Sequence, residues 1–378
     1  MAAPARAAMT GTSWNEPTLV AFGPVVVFFS SAPIRNVLRG LSNDFRRPPV
    51  TRLLRSAKIS ARGERVRVLV AGSAGAIGAP TVRLLAGAGY EVFGTTRSVR
   101  RAGEVRSLGA EPVILDALDV GATEAAFDRV RPECVVHLLT ALPAKGARRA
   151  SELEPTNRLR THGTSNLVDA AVAAGVRRIV AESMILGYGS SSEPRPALTE
   201  DQPFGLGGGS ASAALRSLED QVLEANRSRG LEGIVLRYGL LYGPSVGSTE
   251  YLVRMLRRRL VPLPGRADGV GSWIHAADAA TATVAALERG EPGTVYNVAD
   301  DEPVAMRSYL EEMARAIGAP APPTLPEWLV ARISPSAARW ANRHLAVSNQ
   351  RLREHLRVTP AFPTYREGLA DVGSRADT

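Results

Sequence analysis

From residue 65 onward the chain alternates short apolar runs with amphipathic stretches. Residues 66–71 read VRVLVA, 91–96 EVFGTT and 134–139 CVVHLL, runs of β-branched and aliphatic side chains. Such continuity predicts strands buried on both faces, as in a parallel sheet. Further strands are expected at 112–115, 178–183 and 233–237. Between them the pattern predicts helices over 79–87, 98–108, 122–130, 153–174 and 211–228, the second with Ser98 as N-cap. This alternation predicts an α/β protein, a Rossmann-like doubly wound parallel sheet with right-handed crossovers. Beyond Tyr242-Gly243-Pro244 the pattern loosens into short helices and proline-rich turns, which predict a small C-terminal substrate lobe. The expected organisation is a basic, poorly ordered extension over 1–64 and a dinucleotide-binding domain over 65–243. A lobe over 244–370 follows, with a segment at about 270–300 returning to the first domain, and then a tail over 371–378.

Charge and cysteine content exclude several classes. The formal charge of +9 sits mostly in residues 1–65, where ten Lys/Arg face three acids, leaving +2 for the rest. The body has no basic stripe interleaved with aromatics, so no nucleic-acid partner is expected. The apolar run at 19–29 is broken by Gly23-Pro24 and spans about half the roughly 20 residues a membrane helix needs, so no membrane association is expected. Cys134 is the single cysteine, which excludes an intrachain disulfide and fits a reducing cytoplasm. Asp300-Asp301 and Glu311-Glu312 lack His partners, so no metal site is expected.

Chemistry first shows at Gly72-Ser73-Ala74-Gly75-Ala76-Ile77-Gly78, a G-x-x-G-x-x-G turn between a predicted strand and a predicted helix. The first glycine permits the tight turn, the second lets a pyrophosphate approach the backbone, and the third allows close helix–strand packing. The helix N-terminus then offers free N–H groups and partial positive charge. The predicted second strand ends in Thr95-Thr96-Arg97, with no acid before Glu104. An acid there selects NAD and an Arg suits the NADP phosphate, so NADP(H) is the preferred cofactor and NAD(H) the alternative. Against this stands a compositional bias: all but two of the 46 basic residues are Arg, so an Arg in a surface turn needs no ligand.

Over about residues 66–370 these features resemble the extended short-chain dehydrogenase/reductase family, the NAD-dependent epimerase/dehydratases. The resemblance rests on the 72–78 turn, Asp116-Ala117, Leu138-Leu139-Thr140-Ala141 and Gly163-Thr164-Ser165-Asn166-Leu167. Leu236-Arg237-Tyr238-Gly239, Tyr242-Gly243-Pro244, Trp273-Ile274-His275 with Asp278, and Tyr296-Asn297-Val298 continue it. It implies cofactor contacts from Gly72, Ser73, Gly75, Ala76, Ile77, Gly78, Arg97, Asp116, Ala117, Leu139, Thr140 and Ala141. One departure is Arg160, which holds the place of the first Asn in the family's N-x-x-G-T motif. His275 is expected to brace the lobes with Asp278, and His137 to pack in the core.

The family's catalytic Tyr-x-x-x-Lys is missing. Aligning Glu219 to the family's Glu puts Ala211 at the Tyr position and Leu215 at the Lys position, and neither Lys58 nor Lys145 has a Tyr four residues before it. Ser183 matches the first Ser of the family's S-S-x-x-x-Y-G, and Met184 replaces the second. Three readings stay open. Ser183 and Tyr188 substitute as catalytic groups, Ser212 and Arg216 mimic the pair, or other groups act. The expected function is an NAD(P)-dependent oxidoreductase or epimerase-like enzyme with a non-standard proton donor. Its substrate is expected to be a small carbonyl or hydroxyl compound, a nucleotide sugar among the options. Two alternatives stand: a non-redox cyclase, isomerase or lyase, and a dinucleotide-sensing protein without catalysis. Helices 153–174 and 211–228 are candidates for a homodimer interface.

Overall fold

The computed structural model describes residues 65–376 apart from 144–146, 148–149 and 206. The basic extension 1–64, with its apolar run and Lys58, lies outside the described residues, as does Lys145. Among the described residues no helix is long and apolar enough to cross a membrane.

The apolar runs become the centre of one seven-stranded parallel sheet. Strands β1 (Arg67–Ala71), β2 (Glu91–Thr96), β3 (Glu111–Ile114), β4 (Cys134–His137), β5 (Arg178–Met184) and β6 (Glu232–Tyr238) lie in the order 3-2-1-4-5-6. The later strand Val295–Val298 adds parallel to the outer edge of β6. Val68, Leu69, Val70 and Ala71 are fully buried because β1 sits mid-sheet with helices on both faces. Helices α1 (Gly78–Gly87) and α8 (Ala276–Arg289) cover one face over Val70, Val136 and Val180. Helices α3 (Val120–Val130), α5 (Thr164–Ala173) and α6 (Gly209–Ser228) cover the other over Leu69, Val135 and Ile179. Such a sheet presents its ligand site at the carboxyl ends of the strands, where the order reverses between β1 and β4.

Three local expectations change. Residues 98–108 split into a 3-10 turn, Val99–Arg101, and helix α2 (Ala102–Ser107), and the Ser98 side chain makes no cap bond. Its backbone N–H turns back to Thr96 Oγ1 instead, 3.3 Å away. The helix expected over 153–174 is interrupted: α4 (Glu154–Arg158) runs into a π turn over Leu159–Gly163 before α5 begins. Such a bulge re-aims side chains and recurs at functional sites. Residues 371–376 are no tail. They complete the helix Tyr365–Ala376, whose Leu369 and Val372 are buried in the second core.

That second core gathers Tyr242, Leu256, Leu263, Tyr309 and Met313, joining α7 (Gly247–Arg257) and α9 (Met306–Ala316) into the lobe. His275 and Asp278 do brace its junction. His275 Nδ1 accepts from the N–H of Ala277, its ring packs 4.1 Å from that of Phe362, and Asp278 accepts the N–H groups of Ala361 and Phe362.

Asp300, buried beside this junction, has its carboxyl pushed up to about 8 by burial and by the acids around it. An unfolded Asp titrates near 4, so the native state holds a proton that the unfolded state has lost between those values. Stability from this group is therefore complete below about pH 4 and is lost as pH rises towards 8. Asp300→Asn is expected to match the parent at pH 4.5 and to exceed it at pH 8.5 by on the order of 2 kcal/mol. Thermal melts at the two pH values measure this; equal differences at both would refute it.

Candidate active site

The 72–78 turn is built as a cradle. Gly72 has φ +90°, and a Cβ there would lie 2.5 Å from the Leu138 carbonyl oxygen. A Cβ on Gly78 would come within 2.0 Å of the Gly72 carbonyl oxygen, whereas one on Gly75 would keep 3.2 Å. The Gly75 N–H closes the turn onto Gly72 O at 3.0 Å. The N–H groups of Ala76 and Ile77 meet no acceptor among the described residues, and α1 has neither a capping side chain nor an acid in its first turn. Unspent donors, a helix dipole and no room for side chains together fit a dinucleotide pyrophosphate.

The other expected cofactor residues separate into groups. Ser73 is buried, and its hydroxyl donates to Thr95 O at 3.0 Å, which ties the turn to β2. Arg97 and Asp116 stand exposed just past β2 and β3; Asp116 Oδ1 accepts the Leu118 N–H, and the carbonyl of Ala117 takes Asn166 Nδ2. The Leu139 N–H reaches His137 Nδ1 and the Ala141 N–H reaches Thr156 Oγ1, leaving Thr140 exposed between them.

A cavity of about 670 Å³ opens beside the cradle. It runs from Gly75, Ala76, Ile77 and Gly78 past Leu138, Thr140 and Met184 to Trp273, Tyr309 and Trp340 of the lobe. Trp273 and Tyr309 stack with ring centroids 3.6 Å apart, giving that end a flat aromatic wall.

Ser183 and Tyr188 do not reach this cavity. Strand alternation turns Ser183 to the opposite face of β5 from Met184, and its hydroxyl donates to Glu219 Oε1 at 2.5 Å. The Tyr188 hydroxyl is spent on Asn297 Oδ1 at 2.8 Å and on the Arg237 guanidinium at 2.7 Å. Burial pushes its acidity further from a useful range, with Arg237 opposing. Ser183→Ala and Tyr188→Phe are accordingly expected to cost about 1–2 kcal/mol of stability each. Cofactor affinity should stay within about twofold, because neither side chain faces the cradle. A calorimetric titration giving weakened binding at unchanged melting temperature would return both residues to the nicotinamide.

The Ser212/Arg216 mimic fails on geometry too. Arg216 lies outside the cavity, bonded to Asp220 Oδ2 and Phe204 O. Ala211, Ser212 and Leu215 line a separate recess of about 190 Å³ behind Trp340. What the sequence reading passed over is a buried charge cluster below the cavity. Glu182 lines the cavity wall beside Met184. Arg160 is 2 % exposed and points a guanidinium nitrogen at Met184 Sδ, 3.2 Å away. His137 is buried alongside with Nε2 on Thr164 Oγ1. Burial lifts the Glu182 carboxyl to about 7, with Arg160 pulling the other way. Burial and the Arg160 charge hold His137 down at about 4, and burial lowers Arg160 to about 10. Period-2 alternation in β5 was the available signal, since it puts 182 on the face of 184.

Known proteins share this fold and part of this sequence. The model of the NAD dependent epimerase/dehydratase family matches residues 68–299. A 3-diazoavenalumate denitrifying reductase of a Streptomyces species is 38 % identical over 317 residues, covering 80 % of this chain and 99 % of that protein. A dTDP-glucose 4,6-dehydratase of Streptomyces griseus is 28 % identical over 320 residues, covering 80 % and 92 %. The crystal structure of a Thermus thermophilus UDP-glucose 4-epimerase with NAD superposes with a TM-score of 0.69 at 25 % identity, covering 82 % of this chain and 99 % of that one. With the sheet order, the cradle and the matched residues in agreement, the chain belongs to the NAD-dependent epimerase/dehydratase family.

Proposed function

We propose that this protein is a nicotinamide-dependent reductase, NADP(H) its preferred cofactor, that delivers hydride to a small aromatic molecule needing no acid from the enzyme. The observation that carries this reading is the cavity wall. Met184, in the place of the family's second Ser, lines that wall, and the α6 positions that the sequence motifs align with the family's Tyr and Lys hold Ala211 and Leu215, in the recess beside it. A carbonyl acceptor leaves an alkoxide that must be protonated, and the family's Ser-Tyr-Lys set for that step is not at its usual positions. A nucleotide sugar would bring a diphosphate to a wall whose one cation among the described lining residues, Arg101, sits at the cofactor turn.

A diazo group meets the requirement. Hydride supplied by the cofactor ends on the substrate carbon in place of dinitrogen, and N₂ leaves with the former C–N bond broken. The charge of the arenediazonium passes to the oxidised nicotinamide, so no proton is drawn from the protein. The diazo reductase among the relatives supports this choice, and the stacked Trp273–Tyr309 wall suits an aryl ring. In this reading the N–H groups of Ala76 and Ile77 hold the pyrophosphate, Thr140 faces the ribose side, and the lobe excludes water. Arg97 is the candidate for the NADP phosphate: it is exposed and has no ion-pair partner among the described residues.

The test is enzyme-dependent reduction of an arenediazonium with NADPH deuterated at C4, following absorbance, N₂ release and label in the arene. Deuterium on the former diazo carbon supports the reading. Turnover of ketones alone, or of nothing, sinks it. In the same assay Arg97→Glu is expected to cut the NADPH-over-NADH preference at least tenfold, through loss of one charge-assisted contact. An unchanged ratio would remove Arg97 from the site.

A further inference from the structure

We propose that Glu182 is the recognition group for a cationic head on the substrate and that the charge of Arg160, held beside Met184, supports it. This rests on the reductase reading, where the head is an arenediazonium. Glu182 is the one acid among the described residues that line the cavity. Its carboxylate takes no hydrogen bond and no ion pair from any described residue. A carboxylate stranded against apolar walls is costly unless something completes it. Arg160 does so only in part. It approaches from the π turn, far enough along that its field reaches Glu182, but no carboxylate lies within 4.0 Å of it. Glu182 thus lines the cavity without a direct partner, and the nearby Arg160 charge favours its ionised form.

The elements around Glu182 present few other charges. The β4 neighbour His137 is bonded to Thr164 and held neutral, and the β6 neighbour Tyr238 is bonded to Thr283. Helix α8 offers Ala279 and Thr283. Arg101, across the cavity, is paired with Glu104. Glu219 and Arg237 are paired with each other, and Glu219 accepts from Ser183, which points to the opposite face of β5. One carboxylate and a stacked aromatic pair lining the same cavity suit a flat cation. Since the Glu182 carboxyl titrates near 7, the cation preference should exist above that pH and vanish below it.

The experiment measures binding, so it does not depend on turnover. With NADP⁺ saturating, calorimetry compares 4-(trimethylammonio)benzyl alcohol with its neutral isostere 4-tert-butylbenzyl alcohol. The expected result is at least tenfold tighter binding of the cation at pH 8.5, collapsing to parity by pH 5.5. In Glu182→Gln the two probes should bind alike at both pH values while NADPH affinity stays as in the parent. In Arg160→Met the midpoint of the preference should move to higher pH. Equal affinities in the parent, or a preference surviving in Glu182→Gln, overturns the proposal. So does loss of NADPH affinity in that variant, which would assign Glu182 to the nicotinamide carboxamide. Failure of the reductase reading shows separately, as absence of arenediazonium turnover.

Discussion

Gly75→Asp is expected to abolish dinucleotide binding without unfolding the protein, and Gly78→Ala to weaken binding by damaging the turn itself. The two glycines differ in what surrounds them. At Gly75 an added Cβ keeps 3.2 Å from its nearest neighbour, the Gly72 carbonyl oxygen, so the backbone tolerates a side chain after a small adjustment. An aspartate there, however, places a carboxylate beside the free N–H groups of Ala76 and Ile77 where a pyrophosphate would bind. Like-charge repulsion of about 3 kcal/mol corresponds to roughly a hundredfold loss of affinity. At Gly78 the Cβ would sit 2.0 Å from backbone, which no rotamer change relieves. The first turn of α1 must then move away from β1, so affinity and melting temperature should fall together. Fluorescence titration with NADPH beside a thermal melt separates the two cases. If Gly75→Asp bound NADPH as tightly as the parent, the 72–78 turn would not be the phosphate site.

How much of this was legible in the sequence depends on which physical signal each feature leaves. The runs at 66–71 and 134–139 named their strands because central parallel strands admit apolar side chains on both faces. The cradle was legible because only glycine fits where backbone meets backbone. The π turn was not, since a single wide turn has no residue type of its own. A one-residue shift in apolar spacing is easily absorbed in a helix with small residues such as Gly163 and Thr164. Thr164, Leu167 and Ala171 still face the core beyond the turn, and Arg160 is carried inward by it. Its departure from the family's Asn was visible, but its consequence needed the backbone. Ser183 and Tyr188 misled for a related reason. Motif position suggested chemistry, while the face of the strand and the neighbours Glu219, Asn297 and Arg237 decide what those hydroxyls do.

Those neighbours carry the largest stability effect expected in the molecule. Arg237 Nε and a terminal nitrogen lie 3.0 and 2.7 Å from the two oxygens of Glu219, and the pair is almost fully buried. The guanidinium also donates to the Tyr188 hydroxyl and stands 3.8 Å over the Phe204 ring. Through Tyr188 the cluster reaches Asn297 on the edge strand, so it ties together the carboxyl ends of three strands. Arg237→Met removes the cation and leaves the Glu219 carboxyl buried and bonded only to Ser183 among the described residues, a change that costs about 3–5 kcal/mol. A melting temperature lower by on the order of 10 °C is expected. Arg237→Met combined with Glu219→Met should recover most of that loss, because two apolar side chains replace a pair whose desolvation nearly cancels its attraction. If instead the double variant were as unstable as the sum of its singles, the cluster would be contributing net stability. If Arg237→Met melted like the parent, water or another donor would have to reach Glu219, and the pair would not be the closed, buried cluster its distances describe.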